Sequence, residues 1–489
     1  MASSRKRRPT ADPLERSLLG AVQVAVSHAL SPQAPAPAPR ARRSRTRTEA
    51  ALVVAYSGGP DSTALLSLVC ALREARTPGF GQAHAVHVHH GLHRDADSWV
   101  SHCEQQCAAF AIGLQVCRVR VEGKGHGVEA AARQARYRAL AEAARELGAA
   151  AVLTAHHLDD RLETFLLQWI RGAGLEGLSA LVQQREFNVG GPGGGMVLVR
   201  PLLHVPRDRI ERYLHHKGLA SIEDPSNADL RFDRNSVRLR VMPELARLRS
   251  GFRSAAERSI ELIAEGAEVL RGLAREDLKT CTQDAPASML RIDRLASLTE
   301  IRRSLVLREW LAQAGLPAPP RARLREALQQ ALCASADARL LIRIGDRELR
   351  RHRGLLCLQV PKRNAPALHA VQWQGEAELA VPGWGGALVF TRTDEEGFDS
   401  RWLCAEPLEL RPRTGGERFK PHPTRPSKRL KQIFQDARVP EFERPALPLV
   451  WRDGRLIYVA GIGPDVRMLV ADGERVRIDW VGATRLLRD

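Results

Sequence analysis

Residues 52 to 63, Leu-Val-Val-Ala-Tyr-Ser-Gly-Gly-Pro-Asp-Ser-Thr, place a β-branched strand directly before a glycine turn and an apolar helical pattern. A strand, a tight turn and a helix N-terminus in this order present unpaired backbone N–H groups and the positive end of the helix dipole to an anion. We therefore predict a phosphate-binding loop here. Its residues are Ser57, Gly58, Gly59, Pro60, Asp61, Ser62 and Thr63.

Asp61 is the unusual residue of this loop, because a carboxylate repels the anion that the loop is suited to bind. Two interpretations remain open: Asp61 holds a Mg²⁺ ion that bridges it to a triphosphate, or it caps the helix. The loop matches neither the GxxxxGK pattern of P-loop proteins nor the GxGxxG pattern of dinucleotide-binding proteins.

Apolar strands alternate with amphipathic helices from residue 50 onward, which predicts an α/β fold with a doubly wound, mainly parallel sheet. Ligands on such sheets bind at the carboxyl ends of the strands. The predicted strands span residues 52–56, 83–89, 114–121, 150–155 and 196–200. The predicted helices span residues 62–76, 96–110, 128–147, 159–170 and 207–217.

The composition changes along the chain and predicts several domains. A basic, mostly disordered arm over residues 1–49 contains one short helix, 14–30, and is followed by the α/β domain. We place the α/β domain at 50–242, a mainly helical domain at 243–362, a linker with strands at 363–404 and a small α+β domain at 405–489. Within them we predict a glycine-rich loop at 190–195, a hairpin that joins 339–344 to 354–360, and a basic helix at 427–436.

The chain is strongly basic, with 74 Lys and Arg residues against 56 Asp and Glu residues, a net charge of +18. This excess favours a polyanionic partner, nucleic acid above all, although a generally basic, Arg-rich proteome would give the same count. No apolar run approaches the ~20 residues of a membrane span, so a soluble protein without a membrane partner is expected. Eight scattered cysteines without a CxxC pair favour a reducing cytoplasm and no structural zinc.

Further polar residues follow predicted strands or begin predicted helices, which places them on the same edge as the loop. They are His90, Glu129, Arg133, Arg136, His157, Asp160, Glu163, Arg234 and Arg238. Asp160 and Glu163 lie three apart on one helix face, so as a pair they suit an ammonium group and its proton. Surface charge or structural hydrogen bonding explains each residue equally well in isolation, and Tyr137 is expected to pack rather than stack.

The sequence SGGPDS, residues 57–62, resembles the PP-loop of the N-type ATP pyrophosphatases, whose signature is SGGxDS. That superfamily cleaves ATP between the α and β phosphates and passes AMP to a substrate oxygen. The motifs HVHHG (87–91), VEAAARQARY (128–137) and TAHHLDDRLET (154–164) follow in an order that resembles the tRNA(Ile)-lysidine synthetase family. The resemblance is strong from about residue 52 to 242, and residues 411–417 and 461–465 resemble the family's terminal tRNA-binding domain.

This resemblance implies a two-step reaction. The wobble cytidine of an isoleucine tRNA with a CAU anticodon is adenylated by ATP and Mg²⁺ at its C2 oxygen, and free L-lysine then displaces AMP to form lysidine. It also implies roles for individual residues. A homodimer is compatible with the resemblance but is not required by it. Asp61, Arg133, Asp160 and Glu163 would be catalytic, His90 would join the loop in binding ATP, and Glu129, Arg136, His157, Arg234 and Arg238 would bind the substrates.

Two other functions remain as alternatives. A PP-loop tRNA thiolase activates a base in the same way but needs paired catalytic cysteines or a CxxC-held cluster, and this sequence offers neither. A non-catalytic tRNA-binding protein would explain the positive charge, yet it would leave SGGPDS and the paired acids without a purpose.

Overall fold

The computed structural model describes residues 12–31, 51–91, 95–120, 128–187, 196–283, 289–333, 340–360, 367–437 and 439–482, with the side chains of 128–130 left out. The chain divides into two compact units, Met1–Val269 and Leu270–Asp489. The predicted glycine-rich loop at 190–195 lies outside the described residues, as does most of the N-terminal arm. The domain boundaries expected from composition stay predictions.

The first unit contains a six-stranded sheet in the order β3-β2-β1-β4-β6-β5. All neighbouring strands are parallel except β5, which runs antiparallel to β6. The predicted mainly parallel sheet is therefore confirmed. Its strands are β1 (Ala51–Ala55), β2 (Ala83–His89), β3 (Gly113–Arg118), β4 (Ala149–Leu153), β5 (Gln184–Glu186) and β6 (Val197–Val199).

Helices cover both faces of this sheet, because alternate residues of each buried strand point to opposite sides. Leu52 and Val54 face one apolar core, and Val53 faces the other. The helices are α1 (Pro13–Leu30), α2 (Pro60–Glu74), α3 (Ala96–Ala109), α4 (Val128–Glu146), α5 (Leu158–Ile170), α6 (Leu175–Leu178), α7 (Arg207–Lys217), α8 (Asp233–Ser236), α9 (Met242–Leu248) and α10 (Phe252–Thr282). The last of these continues into the second unit.

The short helix predicted at residues 14–30 of the basic arm is present as α1. Asp12 accepts a hydrogen bond from the Leu14 amide and so caps α1. Leu18, Val22 and Val26 recur at helical spacing and are buried in the same core as α2. The apolar stripe of α1 thus becomes part of the α/β unit.

A π-helix, Val237–Val241, joins α8 to α9 at the end of the α/β core. Just before it, the Asn235 side chain donates to the carbonyls of Ser226 and Asp229 and fixes the preceding loop. π-Turns inside helices are often found at functional sites because they re-aim side chains. Here the π-helix carries Arg238, and α8 carries Arg234.

The second unit contains short helices and antiparallel sheets. The helices are α11 (Ile292–Ser297), α12 (Glu300–Gln313), α13 (Arg321–Cys333), α14 (Ser400–Ala405) and α15 (Leu430–Asp436). The strands are β7 (Met289–Arg291), β8 (Leu341–Ile344), β9 (Arg347–His352), β10 (Leu355–Gln359), β11 (His369–Val371), β12 (Glu378–Val381), β13 (Gly386–Arg392), β14 (Phe398–Asp399), β15 (Leu408–Arg411), β16 (Arg418–Phe419), β17 (Lys428–Arg429), β18 (Leu449–Arg452), β19 (Arg455–Val459), β20 (Gly463–Pro464) and β21 (Arg475–Gly482).

The hairpin expected between residues 339–344 and 354–360 was wrong in its pairing. β8 pairs with β9, β9 pairs with β10, and the sheet order is β7-β10-β9-β8. The polar sequence of β9, Arg-Glu-Leu-Arg-Arg-His, resembles a connection, but Leu349 is fully buried and places this strand in the centre. The basic helix expected at 427–436 begins only at Leu430, because Lys428 and Arg429 form strand β17.

None of the helices in the described ranges combines the length and the apolar character needed to span a bilayer.

Candidate active site

The glycine turn after β1 is fixed by close packing. Gly58 has a φ of 82°, a left-handed conformation that favours glycine. A Cβ atom at this position would collide with Ile222 Cδ1 and lie 3.0 Å from Cys103 Sγ. The carbonyl of Gly58 also accepts a hydrogen bond of 2.8 Å from the Ile222 amide. Any side chain at Gly58 would therefore shift the loop itself.

The loop hydroxyls hold the turn in shape. Ser62 Oγ donates to the Gly59 carbonyl at 3.0 Å and lies 3.0 Å from Ser57 Oγ. Thr63 Oγ1 donates to the Gly58 carbonyl at 3.3 Å. Among the described residues, no side chain caps α2, whose N-cap residue is Gly59. The helix N-terminus is thus available to an anion, as its sequence predicted.

Asp61 does not cap its own helix, so that interpretation was wrong. It lies within the first turn of α2, one residue after Pro60, and its Oδ2 lies 3.6 Å from Nε2 of His157. Its other oxygen, Oδ1, is buried and has no hydrogen-bond partner among the described residues. A buried carboxylate oxygen without a partner is costly unless a ligand completes it.

The unpartnered Oδ1 fits the chemistry of Mg²⁺, which prefers oxygen ligands. In the described part of the chain, Asp61 belongs to no group of three His, Cys or acidic residues with donor atoms within 4.8 Å of one another. Mg²⁺ commonly takes one or two carboxylates and completes its shell with water and substrate phosphates. Asp61 can therefore be one protein ligand for a nucleotide-bound Mg²⁺.

His157 connects the loop to α5. It is the N-cap of that helix: its Nδ1 accepts from the Asp160 amide at 3.3 Å, and Asp160 Oδ2 accepts from the His157 amide at 3.1 Å. Because Nδ1 accepts, the ring proton lies on Nε2 and faces Asp61. Burial lowers the pKa of His157, but the carboxylates of Asp61 and Asp160 outweigh burial, so this pKa is raised overall.

Four charged residues form an acid–arginine cluster beside His157, namely Asp160, Glu163, Arg234 and Arg238. Arg234 donates through Nε to Glu163 Oε2 at 2.8 Å and through Nη2 to Asp160 Oδ1 at 2.6 Å. Arg238 donates through Nε to Glu163 Oε1 at 2.6 Å and through Nη2 to Oε2 at 3.0 Å. The two acids do share one helix face, and the two arginines lie against it.

The acid–arginine cluster is largely buried, so the charges of its members interact strongly with one another. The Glu163 side chain is only 1% exposed, whereas Arg234 and Arg238 are 28% and 22% exposed. Burial alone would raise the pKa of Asp160, but His157 and Arg234 lower it to about 2. Asp160 is thus a carboxylate at neutral pH, and the two arginine partners are accessible from solvent.

A second group of predicted residues lies where β2 ends and α4 begins. Burial, followed by the positive charge of Arg136, lowers the pKa of His90 to about 4, so its ring is neutral at physiological pH. His90 Nδ1 is buried without a hydrogen-bond partner among the described residues. Arg133 extends from α4 over the ring of Tyr137. The Glu129 side chain lies outside the described residues, so its predicted role stays a prediction.

Two site residues were missed at the level of sequence, His156 and Arg200. His156 Nδ1 lies 3.0 Å from Thr154 Oγ1. Burial lowers the pKa of His156 to about 3, with charges of both signs around it from Asp160, Arg200, Arg234 and Arg133. Arg200 follows β6 and is 2% exposed. His156 lies within the quoted TAHHLDD motif, and Arg200 begins the sequence RPLL (200–203), which is part of the family resemblance, so both could have been named.

Comparison with protein families gives three matches along the chain. A family model described as a PP-loop domain matches residues 21–245. A model described as the TilS substrate binding domain matches residues 290–357, and one described as the TilS substrate C-terminal domain matches residues 408–480.

Curated relatives match over most of their length. A tRNA(Ile)-lysidine synthase of Ralstonia nicotianae is 42% identical over 450 residues, which are 88% of this chain and 93% of the relative. One of Chromobacterium violaceum is 38% identical over 86% of this chain and 94% of the relative. One of Nitrosomonas europaea is 35% identical over 86% of this chain and 90% of the relative.

Solved structures give more distant matches. The U34-tRNA thiolase NcsA from Methanococcus maripaludis aligns with a TM-score of 0.39 at 14% identity, over 51% of this chain and 80% of its own. A crystal structure of a TilS C-terminal domain aligns with a TM-score of 0.20 at 21% identity, over 24% of this chain and 99% of its own.

Proposed function

Since the chain belongs to the tRNA(Ile)-lysidine synthase family, ATP-using ligases that form lysidine on tRNA(Ile), we propose that one site on its α/β unit performs both reaction steps. The observation that carries this proposal is the position of His157. Its Nε2 lies 3.6 Å from Asp61 of the nucleotide loop and 3.5 Å from Asp160 of the acid–arginine cluster. The nucleotide loop and the amine-binding acids therefore adjoin.

In the first step, the C2 oxygen of cytidine attacks the α-phosphorus of ATP and diphosphate leaves. The loop amides and the N-terminus of α2 face the phosphates and stabilise the negative charge that develops there. Ser57, Ser62 and Thr63 keep the loop rigid through the hydrogen bonds described above. His90 follows β2 at the same edge of the sheet, and we assign it to the nucleotide.

Mg²⁺ bound to Asp61 would supply further positive charge to the phosphates in this step. His157 holds the Asp61 carboxylate from the opposite side and so fixes the direction of its unpartnered Oδ1.

In the second step, the amine of free lysine attacks C2 of the adenylated cytidine and AMP leaves. The acid–arginine cluster suits this nucleophile because lysine is itself a zwitterion. As a pair, Asp160 and Glu163 can accept hydrogen bonds from the ammonium group and take the proton that it must lose, while Arg234 and Arg238 can face a carboxylate. We therefore assign Arg234 and Arg238 to lysine binding as well as to contact with tRNA.

The cysteines nearest the loop do not support sulfur transfer. Cys103 Sγ lies 3.5 Å from His87 Nδ1, and Cys107 lies one helical turn further along α3. Burial raises the pKa of both thiols to about 12, so neither is a thiolate at neutral pH. A thiolase needs the reactive thiolate form, and the thiolase alternative is not favoured.

The setting of the reaction is part of the same proposal. All eight cysteines are unpaired, which is compatible with the reducing cytoplasm expected from the sequence. A homodimer stays a prediction, which sedimentation of the full chain would test.

The proposal is tested by following diphosphate and labelled lysine together, with ATP and unmodified CAU-anticodon tRNA(Ile). Diphosphate should be released only when this tRNA is present, and one labelled lysine should enter the tRNA for each diphosphate released at saturating lysine. A preparation that releases diphosphate but never transfers lysine would overturn the assigned function.

A further inference from the structure

Three arginines surround Tyr137 at one end of the sheet; we call Arg133, Arg185 and Arg200 the arginine cluster. The guanidinium carbons of Arg133 and Arg185 lie 5.4 Å and 5.1 Å from the centroid of the Tyr137 ring. The third arginine, Arg200, donates through Nη1 to the Val182 carbonyl at 2.5 Å and hydrogen-bonds the Tyr137 phenol.

Among the described residues, no carboxylate compensates the positive charge of the arginine cluster. Within the described residues, no carboxylate lies within ion-pair distance of any of its three guanidinium groups, in contrast to the acid–arginine cluster beside His157. Arg200 is 2% exposed, and its Nε is buried without a hydrogen-bond partner. A buried cation that has only a carbonyl and a phenol as partners is destabilised unless an anion completes it.

The other two members of the arginine cluster differ from Arg200 in their exposure to solvent. Arg133 and Arg185 are both exposed, while Phe187 packs edge-on against Tyr137 at 5.8 Å and holds the ring in place. The phenol hydrogen can donate to the same anion that the guanidinium groups attract. Burial acts to raise the pKa of Tyr137, but the arginines outweigh it and lower this pKa, which reflects the positive potential of the cluster.

The location of the arginine cluster separates it from the nucleotide loop. Arg200 follows β6, and β6 is two strands away from β1, whose end carries the loop. At ~4.8 Å between neighbouring strands, the two sites are roughly 10 Å apart along the sheet edge. His156 follows β4, the strand between β1 and β6, and its pKa is influenced by the charges of Arg133, Arg200 and Asp160.

We propose that Arg133, Arg185, Arg200 and Tyr137 form a binding site for a backbone phosphodiester of the tRNA, next to the cytidine that is modified. The inference rests on the proposed function, because it presumes that this cytidine enters between the nucleotide loop and the acid–arginine cluster. A base that is read outside a duplex carries phosphodiesters on either side, and arginines bind such phosphates by charge-assisted hydrogen bonds. The triphosphate of ATP has its own loop and leaves this second site to the polynucleotide.

Arg185→Gln tests this site with little risk to folding, because Arg185 is exposed on the edge strand β5. The variant should bind unmodified tRNA(Ile) roughly fivefold more weakly than wild type. The slope of log affinity against log salt concentration should fall by about one. The KM for ATP at saturating tRNA should not change. Arg212→Gln is the matched control, because Arg212 is an exposed arginine on α7 that pairs with Asp208.

Two results of this comparison would overturn the site. The first is a wild-type tRNA affinity and salt slope in Arg185→Gln. The second is a raised KM for ATP with unchanged tRNA affinity, which would assign the cluster to the triphosphate instead.

A tRNA with single uncharged methylphosphonate linkages in the anticodon loop identifies the phosphate. One position should weaken binding to wild type more than binding to Arg185→Gln, because the variant has already lost one of the contacts to that phosphate. Additive losses at every position would contradict a direct contact. If wild type transfers no lysine at all, the proposed function has failed, whereas normal transfer with a silent Arg185→Gln means that only this inference has failed.

Discussion

Arg238 and Glu163 form a two-point ion pair, with Nε to Oε1 at 2.6 Å and Nη2 to Oε2 at 3.0 Å, around a carboxylate that is only 1% exposed. The two residues are 75 positions apart in the chain. A parallel, two-point arginine–carboxylate pair fixes the orientation of both side chains as well as their charge. Arg238 therefore fixes the position of the Glu163 carboxylate and couples the π-helix to α5.

Removing Arg238 should destabilise the protein. Arg238→Met leaves Glu163 with Arg234 as its remaining partner, and partial loss of a buried pair should cost about 2 kcal/mol. Thermal unfolding would show this as a lower midpoint. Arg247→Met is the control, because the Arg247–Glu244 pair is exposed on both sides and should be worth less than ~1 kcal/mol. Equal midpoints for the two variants would contradict a structural role for the Arg238 pair.

Substitution of Gly58 should impair nucleotide chemistry more than stability. Gly58→Ala forces a Cβ into Ile222 at a residue with φ of 82°, so the loop must move. A shift of about 1 Å in a phosphate-binding loop can cost roughly 100-fold in rate, which diphosphate release would measure. Gly81→Ala is the control, because a Cβ there meets nothing within 4 Å. Similar rates for Gly58→Ala and wild type would exclude the close packing described for this turn.

Asp61→Asn should abolish diphosphate release, because it removes the charge on the unpartnered Oδ1 while keeping the size of the side chain. The Mg²⁺ concentration needed for half-maximal activity should rise in any residual activity. A variant with the wild-type rate and the wild-type Mg²⁺ requirement would remove Asp61 from metal binding.

The pKa of Asp160 predicts a defined response to acid. This pKa is about 2 in the folded protein and 3.8 in the reference state, so ionised Asp160 stabilises the fold above about pH 4. The contribution is lost as the pH falls through 2. The difference in unfolding midpoint between wild type and Asp160→Asn should therefore shrink as the pH falls from about 4 towards 2. A difference that grows on acidification would contradict the lowered pKa.

The nucleotide loop and the parallel sheet could be predicted because their signals are local. Strand β1, the glycine turn and the apolar face of α2 are contiguous in sequence. The hairpin around β9 was mispaired because its one fully buried leucine, Leu349, lies among charged residues. A strand with so polar a sequence is recognised as a central strand only once its pairing with both β8 and β10 is known.

The ion pairs between the acids and the arginines of the candidate site could not be predicted from local sequence patterns. Asp160 and Glu163 were named as a pair, and so were Arg234 and Arg238, but nothing in the sequence brings the two pairs together across more than 70 residues. The arginine cluster is a similar case. Arg185 and Arg200 come from the edge strand β5 and the end of β6, and no local sequence pattern brings them together. The pairing of β5 with β6 in the sheet brings these two arginines close to Tyr137.

The most direct test is a single-turnover measurement of diphosphate release and lysine transfer by Glu163→Gln. It asks whether one site carries out both steps and uses different residues for each. With ATP and unmodified tRNA(Ile), the variant should release diphosphate at close to the wild-type rate, because the nucleotide loop is intact. Its transfer of labelled lysine should fall at least tenfold at subsaturating lysine, because the amine loses a charged acceptor. Lysine transfer with wild-type apparent affinity, or loss of diphosphate release with lysine use intact, would contradict the account.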